Sequence, residues 1–146
     1  MSRIAIVDRP IDASELLAEI SDPSCGAVTL FLGIVRDVNE GRAVSGIEYS
    51  AYEPMAIREM ERIAQEVSEL FGVQHFIVVH RIGELTLGEA SVAIVAAHAH
   101  RQSALDASRY AIEELKKRVP VWKREQYVDG TREWIDPTRQ AEGSVR

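Results

Sequence analysis

The chain has one cysteine, Cys25, which excludes an internal disulfide and a cysteine-rich metal site. No apolar run approaches the ~20 residues of a membrane helix, so no membrane contact is expected. The opening MSRIAIVDRPID lacks a signal-peptide pattern, because the apolar run Ile4 to Val7 is short and acids follow at once. These absences make the cytoplasm the expected location. Positive charge is also scarce, with 17 Lys and Arg against 23 Asp and Glu and a net charge of -6. Non-specific binding to nucleic acid is therefore not expected. There is no Walker or dinucleotide-type glycine loop, no His-Glu-x-x-His and no cysteine pair for zinc. A serine triad finds no support, and no internal repeat or low-complexity segment is visible.

What is present is an ordinary globular balance: 146 residues, 46% apolar and 27% charged. Residues 1–146 read as a single domain, with a tail from about Pro137 expected to fray. Arg3 to Val7 reads as a strand, and Asp12 to Ile20 as a helix capped by Asp12, with Leu16, Leu17 and Ile20 on its apolar face. Ala27 to Val35 is nearly continuous in apolar residues and reads as a strand buried on both faces, with a bulge or close backbone approach at Gly33. A polar, mobile loop is expected around Arg36 to Gly41. Val44 to Tyr52 reads as a strand with a bulge near Gly46. Met60, Ile63, Ala64, Val67, Leu70 and Phe71 form a helical stripe that begins after Pro54 and ends at Gly72. Val73 to His80, a short strand between Gly83 and Gly88, and Ala90 to His98 follow as strands. Gln102 to Lys117 reads as a second long helix, and Thr131 to Ile135 as a last strand. The order implies an α+β domain with a mixed, largely antiparallel sheet and two long helices.

One stretch runs against the global charge. Glu113 to Glu125, EELKKRVPVWKRE, carries Lys116, Lys117, Arg118, Lys123 and Arg124. Pro120 breaks the helix, and Val119, Val121 and Trp122 form a short β-prone segment. Arg36, His100 and Arg101 add cations at the ends of the two most apolar strands. If these converged they would bind a phosphorylated small molecule, and a lysine among them could act as base or nucleophile. The alternatives are simple. Lys116 and Lys117 also suit a helix C-terminus through the macrodipole. Arg36 reads as a solvated loop residue, Trp122 as a core or interface residue, and Glu125 as a surface acid unless the lysines are near it. His75 and His80 read as structural, and Cys25 as inert without a nearby partner. His98 and His100 share a strand face, which permits metal binding but offers no third ligand.

The motifs FLGIVRD at 31–37, EYSAYEPMA at 48–56, HRIGELTLGE at 80–89, AHAHR at 97–101 and LKKRVPVWKRE at 115–125 occur in an order and spacing that resemble the large, catalytic subunit of molybdopterin synthase. The resemblance implies an α/β hammerhead-type fold and a homodimer within a heterotetramer. It implies sulfur transfer from the C-terminal Gly-Gly thiocarboxylate of a small ubiquitin-like subunit to cyclic pyranopterin monophosphate, forming the molybdopterin dithiolene. On the same basis Lys116 and Lys123 match catalytic lysines, and Arg36, His100 and Arg101 match a substrate-anion pocket to which the two lysines also contribute. No metal or organic cofactor is implied, because the partner delivers the sulfur. Arg139 falls near a further family arginine and stays outside the expected site. A different enzyme on the same scaffold, or a non-catalytic module docking a ubiquitin-like protein, are the competing readings.

Overall fold

The structure, a computed structural model, describes residues 1–135, so the tail from Pro137, including Arg139, lies outside the described residues. In chain order the elements are β1 (Ser2–Val7), α1 (Ala13–Glu19), β2 (Ala27–Ile34), β3 (Val38–Asn39), β4 (Arg42–Ala51), α2 (Glu53–Phe71), β5 (His75–Arg81), β6 (Gly83–Thr86), β7 (Ala90–His98), α3 (Arg101–Arg118), β8 (Val121–Tyr127) and β9 (Arg132–Ile135).

Alternation along β5 and β7 builds the layers, because successive side chains point to opposite faces. Phe76, Val78, Val92, Ile94 and Ala96 face α2 and α3, where they meet Met60, Ile63, Val67, Ala107, Ala111 and Leu115. Ile77, Val79, Ala93 and Val95 face α1 and its Leu16. Full burial of a side chain such as Phe76 or Met60 contributes about 1.5–3 kcal/mol each. The four strands run β1-β5-β7-β2. β1 and β5 are parallel, and the other pairs are antiparallel. Small alanines on the inner face of α3 let it lie close to this sheet and to α2. Arg118 then bridges the two helices through Glu59 and Glu66, at 3.2 and 2.6 Å.

The second sheet is antiparallel, with order β3-β4-β8-β9; β6 pairs Gly46 to Tyr49 of β4 on the edge away from β8, further along from β3. Val35, Val44, Ile47, Leu85 and Tyr127 form its own small core. The bulge expected near Gly46 is present as a slip in the β4–β8 pairing between Val44 and Gly46. A Cβ on Gly46 would stand 2.8 Å from the Leu85 carbonyl oxygen. Gly33 shows both a slip in β2–β7 and a close approach, with Val92 Cγ1 2.7 Å from an added Cβ.

The α+β class, the mixed sheet and the two long helices agree with the sequence reading. Four details differ. β2 is not buried on both faces: it is the edge of its sheet, and Val28, Leu30 and Ile34 are exposed. A continuous apolar run does not distinguish burial within the chain from an apolar edge. The segment after β2 is not a plain loop, because β3 pairs with β4 through a tight turn at Glu40 and Gly41, both with positive φ. β8 does not stop at Trp122 but continues through its charged residues to Tyr127. Leu17 and Leu70 are exposed rather than packed, and Trp122 is exposed rather than part of the core.

Candidate active site

A cavity of about 280 Å³ opens where the two sheets meet the end of α3. Arg36, Lys116 and Lys123 all line it, beside Phe31, Ile47, Tyr49, His80, Val92, Ile112 and Leu115. No carboxylate is part of the lining among the described residues. Three separate pieces of backbone deliver the cations. Val35 is bonded to Glu89 and Gly88 at 3.0 and 2.8 Å, which fixes the chain leading into Arg36. Lys116 lies in the last turn of α3. The helix closes at Val119, whose N–H donates to the Leu115 carbonyl at 3.0 Å, and the chain then reverses through Pro120 into β8. That reversal brings Lys123 back to the cavity occupied by Lys116. Arg36 and Lys116 are exposed and Lys123 is buried, so the cations run from the mouth to the wall.

Lys123 owes its burial to β8. Val121, Lys123, Glu125 and Tyr127 alternate inward, while Trp122 points out. Lys123 Nζ lies 3.2 Å from Glu125 Oε1. Glu125 Oε2 accepts from Asn39 Nδ2 at 2.5 Å and from the Tyr127 hydroxyl at 3.0 Å. A buried carboxylate needs such partners on both oxygens to offset its desolvation. Burial and the neighbouring Glu125 also raise the Tyr127 pKa, so its hydroxyl remains a donor. Glu125 is thus not the surface acid its sequence context suggests; it is fully buried next to a lysine. The polar β3 segment was read as mobile, yet through Asn39 it supports this pair.

The rest of the basic stretch is accounted for by ion pairs. Lys117 meets Glu114 at 3.6 Å. Arg118 is held by Glu66, Glu114 and Glu59, which raise its pKa further and hold that of Glu66 below the usual range. Arg124 pairs with Glu48 and lies over the Trp134 ring. Only Lys116 and Lys123 of the five cations line the cavity.

His100 and Arg101 do not join them. They sit at the start of α3, fifteen residues before Lys116, or ~22 Å along the helix axis. His98 Nδ1 accepts the His100 N–H at 3.0 Å, so this pair of histidines shapes the helix entry.

Two cavity residues escaped sequence reasoning. Tyr49 and His80 form an edge-to-face pair with ring centroids 5.3 Å apart. His80 Nδ1 lies 2.9 Å from the Arg81 carbonyl oxygen, and burial lowers the ring's pKa to about 4. Two signals were available: His80 falls in phase with Phe76 and Val78, which face the helices, and both residues lie in the motifs EYSAYEPMA and HRIGELTLGE.

Outside the cavity, Asp22, Cys25 and His75 bring donor atoms within 4.8 Å of one another. So Cys25 does have neighbours, contrary to its sequence context. However, His75 Nε2 is engaged by Asp22 at 2.7 Å, and its Nδ1 faces the N-terminal amino group at 3.5 Å. Both ring nitrogens are committed, and the cluster acts as an ionic clip between the loop before β2 and the start of β5.

Residues 6–118 match the protein family described as MoaE protein. A molybdopterin synthase catalytic subunit from Pyrococcus abyssi is 43% identical over 140 residues, which is 94% of each chain. Similar subunits from Drosophila are longer, and the chain spans about a third of their length. The X-ray crystal structure of molybdopterin synthase from Staphylococcus aureus superposes with a TM-score of 0.83 at 36% identity, covering 89% of this chain and 94% of that one. A protein–protein complex of subunits 1 and 2 of molybdopterin-converting factor from Helicobacter pylori gives a TM-score of 0.74 at 26% identity, over 88% and 87% of the two chains. With the family model matching most of its length, a relative 43% identical over 94% of each chain and the fold in agreement, the chain belongs to the MoaE protein family.

Proposed function

We propose that this chain is the catalytic subunit of a molybdopterin synthase. It transfers sulfur from the C-terminal thiocarboxylate of a small ubiquitin-like subunit to cyclic pyranopterin monophosphate, forming the molybdopterin dithiolene. The observation that carries this reading is the meeting of Lys116 and Lys123, from two different elements, on one cavity with Arg36 whose lining among the described residues includes no carboxylate. Family membership and the two-subunit complex of the Helicobacter pylori relative support it.

The chain's own groups suit distinct tasks. Arg36 at the mouth offers a planar, forked cation for the substrate phosphate. Lys116, also exposed, meets the entering partner tail and moves protons as its sulfur attacks the pterin side chain. Lys123 is held in the wall by Glu125 and stabilises negative charge as it develops, which a fixed cation does without reorganising. The reactive sulfur comes with the partner, and the roles above need no other cofactor.

His100 and Arg101 can serve the same substrate only from a second copy of the chain, given their place at the far end of α3. The exposed Val28, Leu30 and Ile34 of edge strand β2 support a homodimer, which with two small subunits makes a heterotetramer. A cytoplasmic location fits a chain in which no described helix is long and apolar enough to cross a membrane. The test is dithiolene formation with thiocarboxylated partner. Lys116→Ala and Lys123→Ala each lower the rate by about 10²–10⁴-fold, the usual range for a positioned proton-transfer group. Near-normal rates for both variants would remove the assignment.

A further inference from the structure

His80 is buried, yet it lines the cavity that holds the two lysines. Its hydrogen bonding determines its tautomer. The group facing Nδ1 is a carbonyl oxygen, that of Arg81 at 2.9 Å, and a carbonyl can only accept. Nδ1 therefore carries the proton. The low pKa keeps the ring neutral, so Nε2 is left as a bare acceptor. Among the described residues, no donor to Nε2 is found, and the nearest ring, Tyr49, meets His80 edge to face. An acceptor on a cavity-lining ring that meets no donor among the described residues can take one from a ligand.

The rest of the lining narrows the ligand. Phe31, Ile47, Val92 and Leu115 give apolar walls, and Arg36 and the lysines give a cationic side. Such a cavity suits a flat ring bearing both an anionic group and ring N–H or amino donors. The Arg81 side chain does not compete for the site, because its guanidinium is bonded to Glu89 at 2.9 Å.

We infer that His80 is a positioning and specificity-determining residue, whose Nε2 accepts a hydrogen bond from a ring N–H or amino group of a phosphorylated N-heterocycle bound in the cavity. This rests on the proposed function for the identity of the heterocycle as a pterin. His80 reads the donor edge of the ring while the cations hold the phosphate, so the reacting side chain is presented to Lys116 and Lys123 in one orientation. A heterocycle with an acceptor at that edge would face Nε2 lone pair to lone pair and be rejected. No proton is transferred and no bond to substrate forms.

The experiment is a binding cycle on the full chain by calorimetry, using cyclic pyranopterin monophosphate, an analogue N-alkylated at its donor edge, and inorganic phosphate. His80→Phe keeps a ring but removes the acceptor, and it weakens the pterin by about tenfold. Alkylation costs the wild-type chain a similar factor and costs the variant little. Inorganic phosphate binds both proteins alike. His80→Gln, whose amide oxygen can accept, recovers part of the loss and serves in the same cycle if the phenylalanine variant does not fold. If both His80 variants bind the pterin as tightly as the wild type, or if the losses from substitution and alkylation simply add, the inference is overturned while the proposed function stands. If the wild-type chain fails to bind the pterin at all, the function reading falls and the inference falls with it.

Discussion

Lys123 and Glu125 are two residues apart on β8, point the same way, and place ammonium and carboxylate 3.2 Å apart inside the protein. The pair joins folding to chemistry, since the same carboxylate that makes the lysine's burial tolerable also fixes its position in the cavity wall.

Glu125→Ala should therefore be a stability defect before it is an activity defect. Removing the carboxylate beside a buried ammonium costs about 3–5 kcal/mol. Lys116→Ala, at an exposed position on the same cavity, should stay within about 0.5 kcal/mol of the wild type. Urea unfolding midpoints of the two variants check the contrast, and equal midpoints would contradict the burial argument.

Arg36→Ala should separate binding from turnover. The side chain is exposed and sits at the mouth, so its loss leaves the fold intact. A lost charge-assisted contact of about 1.5–3 kcal/mol corresponds to roughly 10–100-fold in KM for a phosphorylated substrate. A fall in kcat with KM unchanged would move Arg36 from anchoring to the reacting atoms.

Stability should fall with acid in two separate windows. His80 has a pKa of about 4 in the fold against 6.5 when unfolded. The unfolded chain takes up that proton first, so the His80 contribution is complete above pH 6.5 and is lost as pH falls toward 4. The span is worth up to roughly 3 kcal/mol. Asp22 and Glu89 are lowered to about 2, chiefly by the Ser24 and Thr86 backbone N–H groups, with further bonds to His75 and Arg81. Their contributions are present above the usual carboxylate pKa and disappear only below it. Melting curves between pH 7 and 4 should show the first window in the wild type and not in His80→Gln.

Gly46→Ala should destabilise by about 1–3 kcal/mol, because the new methyl meets the backbone carbonyl of Leu85 at 2.8 Å rather than a mobile side chain. Gly41→Ala is a useful comparison. Nothing lies within 4 Å of its added Cβ, so strain at φ 80° alone decides its cost. Thermal melting of both variants separates crowding from backbone strain.

Much of the fold was legible because its helices and inner strands carry strong periodic signals. The stripe from Met60 to Val67 and the run of Ala90 to His98 are where the structure places them, inside. The cavity was half legible: Lys116 and Arg36 stand at ends of elements, where cations attract notice, and Lys123 stood out by its charge although it lies inside β8. His80 and Glu125 were not, since a histidine in a strand and an acid in a charged run look ordinary until a partner from a distant part of the chain arrives, as Tyr49 and Asn39 do. The reach of β8 was missed for a related reason. Lysine, arginine and glutamate in succession read as solvent-facing, and only the Asn39 and Tyr127 contacts make an inward carboxylate acceptable. His100 and Arg101 join the lysines in the sequence as cations at element ends and through the family resemblance, whereas within one chain α3 holds them at its other end.

The alternation of β8 has a further consequence for how the chain finds its fold. Sliding this strand by one residue against β4 would send Lys123 and Glu125 to solvent and turn Trp122, Arg124 and Gln126 inward. An arginine would then face the core without Glu48, and Asn39 and Tyr127 would lose the acid they converge on. An apolar strand tolerates such slippage more easily, because one greasy side chain replaces another. The buried charges thus act as a registration mark, and a chain that aligns them correctly has, by the same act, assembled its cavity.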